Sequence, residues 1–293
     1  MGAAIAARMM AHGVPVLACD NDPQALARIA AKGATPAGSV REVVDQVEIV
    51  FACLPTAAIC KAVALGPDGV AAGRKVRVYV ETSTLGGEMA KELSEGLAAH
   101  GIAYIDAPVI GGVVAAEAGT LGVLTAGPQA AFNRIKPALD AFAGRVFYLG
   151  EQPGMAQVAK VVSNAVSYAS LYATFEAIAV GMKAGIDIET LVAIVNQGSG
   201  ANFHSQKIFP NYIIPGKFAG TGAVEIGVKD VKYFLAEARR LHAETPMAEF
   251  VSALGVRAAE SGPAGRDTMT LFHYFCDLAG VPRYTGPPVK GGS

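Results

Sequence analysis

The chain has 293 residues, enough for two domains, with a formal net charge of −1 and 17% charged residues. That balance argues against nucleic acid or an anionic membrane as the main partner, since both are held by clustered Lys and Arg. Five dispersed histidines and four cysteines without paired spacing predict no metal and no disulfide framework, which fits a reducing, cytoplasmic setting. No apolar run reaches the ~18 uninterrupted residues of a membrane span, and Arg8 and His12 interrupt the first stretch where a signal peptide would be apolar.

In chain order, residues 14–19 are a strand candidate, and residues 23–33 a helix opened by Asp22-Pro23 and closed by Gly33. Further strands are predicted at 47–54 and 75–82. An amphipathic helix follows at 87–100, then strands at 102–109 and 121–126, a helix at 129–142 and a last strand at 145–150. Cys19 and Cys53 fall in strand-like runs and read as small buried apolar residues. Short strands alternating with helices of this length predict βαβ units and a parallel sheet covered on both faces.

After Gly150 the pattern changes. One long helix is predicted over 157–184, then helical periodicity at 187–196, 225–242, 248–261 and 268–279, with no convincing strand. The turn at 151–154 is the natural boundary. The expectation is an α/β nucleotide-binding domain over 1–152 and an all-helical domain over 153–293, joined by the long helix. Residues 284–293 are turn-rich and expected to fray.

Asp20 directly follows the strand at 14–19 and stands close to the expected spacing beyond Gly2 for the acidic residue that bonds an adenosine ribose. The plainer reading of Asp20 is a turn or helix cap. Gly2 runs straight into helix, so it matches only the third glycine of a G-x-G-x-x-G fingerprint. The first strand and the first two glycines are missing. Two readings follow, a truncated form of a longer protein or a weak dinucleotide binder, and truncation is the expectation. Loss of that central strand leaves its two neighbours without a ladder partner.

Lys160 is the only charged side chain between Glu151 and Glu176, and Gln157, Asn164 and Ser167 share its helix face. An unpaired ammonium is costly to bury. This helix is therefore either half exposed with a polar stripe, or it carries a site.

The segment DAPVIGG at 106–112, followed by Ala116 and by GTL at 119–121, resembles the substrate-binding signature of the β-hydroxyacid dehydrogenases. This is the family of 3-hydroxyisobutyrate dehydrogenase and tartronate semialdehyde reductase. Other landmarks fall in the family's order. They are Asp20, Leu54-Pro55, TST at 82–84, KVVSN at 160–164, Lys229-Asp230 and GRD at 265–267.

The resemblance implies a Rossmann-type N-terminal domain and an all-α C-terminal domain in a homodimer or homotetramer. It implies an oxidoreductase interconverting a β-hydroxyacid and its semialdehyde or oxo acid. Lys160 would be the acid–base, its pKa lowered by partial burial, and Asn164 would hold the substrate. Ile110, Gly111 and Gly112 would meet the substrate carboxylate, the glycines through backbone N–H groups. Gly2, Asp20, Leu54, Pro55, Thr84 and Lys229 would hold the cofactor. By itself Lys229-Asp230 reads as a solvated helix start. Asn21 beside Asp20, where arginine would suit a 2′-phosphate, favours NAD over NADP.

Ile110 stands where the family usually has serine, which implies a substrate with a bulkier or more apolar group there, or a decayed site. Glu81 replaces the usual aspartate before the Ser-Thr pair, a mild change. The competing reading is a non-catalytic relative that keeps the fold as a ligand-binding or assembly module. Imine reduction fits less well, because relatives with that activity usually replace the lysine.

Overall fold

Every residue of the strand Val78–Glu81 is buried, as expected for a strand covered on both faces. It is β4 of a computed structural model that describes residues 1–287; residues 288–293 of the expected frayed tail lie outside the described residues. Two compact units are present, Met1–Val161 and the chain from Val162 onward.

The first unit opens with α1 (Gly2–Ala11), β1 (Leu17–Ala18), α2 (Pro23–Ala30), β2 (Thr35–Pro36), α3 (Val40–Val44), β3 (Ile49–Ala52) and α4 (Ala57–Leu65). After β4 come α5 (Gly87–Ala98), β5 (Ala103–Asp106), β6 (Val109–Ile110), α6 (Gly112–Ala118), β7 (Leu121–Thr125), α7 (Gln129–Asp140) and β8 (Ala143–Tyr148). β3, β4 and β5 run parallel, with Ile49 opposite Val78 and Val78 opposite Ala103. β1 pairs with β2 and β7 with β8, both parallel. Ile5, Val80, Ile105, Leu121, Phe132 and Ile135 fill one core of this unit, and Tyr79, Leu93, Leu97 and Tyr104 another.

Two expectations change. The sheet is not wholly parallel: β6 pairs antiparallel with β7, because the chain turns at Pro108 and a bridge joins Asp106 to Ala126. Cys19 and Cys53 are exposed rather than buried, since the ladders stop at Ala18 and Ala52 and both thiols lie one residue beyond. Beyond β3 the Thr56 side chain accepts from the Ile59 N–H to start α4. β1 and β3 share no ladder among the described residues, so each keeps an unpaired edge there.

Five helices dominate the second unit. They are the long α8 (Met155–Lys183), which begins in the first unit, then α9 (Ile188–Gln197), α10 (Val224–Arg240), α11 (Pro246–Glu260) and α12 (Leu271–Ala279). A π-helical segment, His204–Ile213, was not expected; Pro210 lies inside it and donates no N–H. Phe175 of α8 packs against Phe209, Phe272 and Phe275 at centroid distances of 5.7, 5.3 and 5.9 Å. By length and composition α8 is the one described helix that passes for a membrane span, yet Leu171, Tyr172, Phe175 and Ile178 on it are core residues of this unit.

Candidate active site

The loops where parallel strands end carry several of the expected residues. Asp20 lies just past β1, exposed, and its Oδ1 accepts the Asp22 N–H at 2.9 Å. It therefore makes the turn of the plainer reading while its carboxylate stays open to water. α1 starts at Gly2 with no side-chain cap, which leaves its first amides without a side-chain acceptor. Leu54 and Pro55 follow β3, and Thr82–Thr84 follow β4.

One hydroxyl joins these two loops: Ser83 Oγ accepts the Leu54 N–H at 2.8 Å. Glu81 sets that serine. Its buried carboxylate accepts the Ser83 N–H at 2.9 Å and the Tyr79 hydroxyl at 2.8 Å. Burial raises the Glu81 pKa against those hydrogen bonds. Glutamate here is thus a structural carboxylate.

In the DAPVIGG segment, Gly111 and Gly112 have φ of +126° and +74°, the region that favours glycine. A Cβ on Gly111 would come within 2.6 Å of the Ala115 side chain. Ile110 is half-buried against the cluster of Leu124, Ala126 and Ala156, the last of these on α8 before Lys160. Asp106 is fully buried. Its Oδ2 accepts the N–H of Gly154, at the start of α8. Burial, opposed by the Tyr104 hydroxyl and the Gly154 and Ala156 N–H groups, pushes its carboxyl up to about 7.

On α8, Gln157 is fully buried, accepting from the Leu85 N–H at 2.9 Å and donating to the Ser83 carbonyl at 3.0 Å. Lys160 follows one turn later and is half-buried. Asn164 comes after a further turn, where its Nδ2 donates to Asp230 Oδ2 at 2.7 Å. Asp230 is 4% exposed, and its other oxygen pairs with Lys229 Nζ at 2.8 Å. Lys229 also lies 4.8 Å from the centroid of the Tyr233 ring.

Within the second unit one carboxylate thus gathers Asn164 and Lys229, two residues the sequence had singled out separately. Asp230 is therefore a buried organiser, not the solvated helix start of the plainer reading. Ser167, last on the predicted stripe, lies by the buried His204, whose Nε2 is 2.8 Å from the Ser167 carbonyl oxygen. Sequence reasoning gave no role to Asp106, Glu81 or the partners of Gln157. The only available signal was a buried-type carboxylate at each of two strand ends.

Comparison with known proteins follows the same lines. Residues 1–150 match the model for the NAD-binding domain of 6-phosphogluconate dehydrogenase, and residues 154–275 the NAD-binding model of NADP-dependent 3-hydroxyisobutyrate dehydrogenase. The chain is 30% identical to 2-(hydroxymethyl)glutarate dehydrogenase of Eubacterium barkeri, covering 100% of this chain and 95% of that one. It is 32% identical to 3-hydroxyisobutyrate dehydrogenase of Pseudomonas aeruginosa, over 84% and 85% of the two chains. A crystal structure of 3-hydroxyisobutyrate dehydrogenase from Salmonella typhimurium superposes with a TM-score of 0.83 at 28% identity, covering 92% and 95%. The protein is a hydroxyacid dehydrogenase that uses NAD(P) and a small-molecule substrate, and it belongs to the β-hydroxyacid dehydrogenase family.

Proposed function

We propose that the protein interconverts a β-hydroxyacid and its semialdehyde or oxo acid, with Lys160 as the acid–base and NAD rather than NADP as the preferred dinucleotide. One observation carries this reading. Lys160, half-buried on α8, lies one turn beyond the buried Gln157 and one turn before Asn164, whose amide is fixed by Asp230.

The residues present fit a dinucleotide. The uncapped first turn of α1 suits a pyrophosphate, and Asp20 offers an exposed carboxylate to ribose hydroxyls beside Asn21 instead of an arginine. Leu54, Pro55 and Thr84 sit in the loops that Ser83 ties together, and Lys229 supplies a cation. When bound, NAD(P) takes up or gives back the hydride at the carbinol carbon.

The chain's own residues handle the proton and the carboxylate. In oxidation the neutral Lys160 amine accepts the substrate O–H proton, which is returned in reduction. The backbone N–H groups of Gly111 and Gly112 receive the carboxylate. Asn164 holds the substrate through the amide oxygen left by its donation to Asp230. Ile110 gives the pocket an apolar wall, which favours a substrate larger or more apolar than the smallest hydroxyacids. Residues 1–152 are assigned to the cofactor, and 153–293 to substrate binding and assembly as a homodimer or homotetramer. The free thiols of Cys19, Cys53, Cys60 and Cys276 suit a cytoplasmic protein.

The decisive test is Lys160→Met, assayed by NADH absorbance on a panel of β-hydroxyacids with NAD and NADP. The expected loss in kcat is about 10²–10⁴-fold, with NADH binding by fluorescence titration unchanged. Activity near that of the parent protein would remove Lys160 from the chemistry.

A further inference from the structure

Gln157 is buried, yet neither end of its amide bonds within its own helix. Its Oε1 accepts the N–H of Leu85 and its Nε2 donates to the carbonyl of Ser83, so one amide grips the peptide groups on both sides of Thr84. The same loop is held from its other side, where Ser83 Oγ accepts the Leu54 N–H and Glu81 accepts the Ser83 N–H. The turn bearing Gln157 is fixed independently by Asp106, through the Gly154 N–H. Lys160 is three residues on, less than one turn away. A buried residue chosen only to fill space would be apolar there. An amide that must both donate and accept cannot be replaced by Leu, Met or an ionised Glu without leaving a buried group unpaired.

We propose that Gln157 is a positioning residue for the reaction. By clamping the two peptide groups around Thr84, it locks the cofactor loop and the α8 turn that carries Lys160 into one fixed register. This rests on the assignment of Lys160 as the acid–base. Hydride and proton transfer need their partners aligned together, and a displacement of about 1 Å costs on the order of 10²-fold in rate. A tie that spans both partners is where such alignment is set.

The test compares Gln157→Leu and Gln157→Glu with Tyr148→Phe in the full chain. Tyr148→Phe removes a hydrogen bond to the Gly127 carbonyl, away from these loops. Steady-state rates are read on 3-hydroxyisobutyrate with NAD, and amide exchange by mass spectrometry on residues 82–86 and 154–161. Gln157→Leu is expected to lower kcat about 10–100-fold with less than a threefold change in the KM for hydroxyacid, and to speed exchange in both segments together. Gln157→Glu, which keeps the acceptor for Leu85, should fall between Gln157→Leu and the parent protein. Tyr148→Phe should lower Tm without moving kcat or exchange in either segment.

A Gln157→Leu protein that keeps the parent kcat and exchange, while Lys160→Met is inactive, overturns the clamp alone. So does a kcat loss in Gln157→Leu that Tyr148→Phe matches for the same fall in Tm. Full activity in Lys160→Met overturns the acid–base assignment, and with it the catalytic role of the clamp. Exchange needs no substrate, so the structural tie is decided even if another hydroxyacid is preferred.

Discussion

Asp106 ends β5 without exposed surface, and its carboxyl is pushed from 3.8 up to about 7, chiefly by burial. The native state therefore holds a proton between those values that the unfolded chain has released. This group's contribution to stability falls as pH rises through that window and levels off above about 7. Asp106→Asn keeps an acceptor for the Gly154 N–H and removes the titration. Measured by urea unfolding at about pH 5 and about pH 8, the parent protein should lose stability relative to Asp106→Asn as pH rises; parallel pH dependences would contradict this. Ile110 poses a question of specificity instead. It packs on the cluster of Leu124, Ala126 and Ala156 where the family resemblance implies a serine, and a hydrogen bond to a carboxylate is worth about 1.5–3 kcal/mol. Ile110→Ser is expected to raise kcat/KM for 3-hydroxyisobutyrate about tenfold or more, and an unchanged ratio would mean this side chain does not meet the substrate.

At the scale of elements, α10 comes so close to α8 that a Cβ on Gly227 would overlap the Tyr168 ring. Gly227→Ala forces the Tyr168 ring or one of the two helices aside, at a cost of about 1–3 kcal/mol. Thermal unfolding should show the loss, and an unshifted Tm would mean the packing is loose there. Such pairings explain what the sequence could and could not disclose. Each long helix after residue 154 was legible because an apolar stripe repeats every 3.6 residues, and the placement of Lys160 and Asn164 on one face needs only that period. α3 and α6, of five and seven residues, are too short for periodicity to register. The antiparallel turn into β6 and the π-helical segment depend on contacts made elsewhere in the fold. The grip of Gln157 on residues 83 and 85 spans more than 70 positions of chain, and no local pattern announces it. Family landmarks named the proposed site residues, but the hydrogen bonds and ion pair that Glu81, Asp106 and Asp230 make around them became visible only in the structure.

For the whole molecule, the expectation of assembly rests on the long helix, which carries more apolar surface than one small partner domain can cover. One face of α8 stays exposed: Val162 at 46%, Val166 at 68% and Val180 at 57%, with Ala173 and Ala177 between them. Their spacings of four, seven, four and three residues keep them on one side of the helix. Phe203 and Phe250 add exposed aromatic surface in the same unit, at 63% and 59%. Water-facing valines spaced this way are what a second copy would cover, in line with the proposed homodimer or homotetramer. Sedimentation equilibrium should give at least twice the chain mass, and Val166→Glu should shift the population toward monomer by placing a charge in the middle of the stripe. If Val166→Glu sediments as the parent protein does, subunits meet through another face; if the parent is monomeric at all concentrations, the assembly proposal fails.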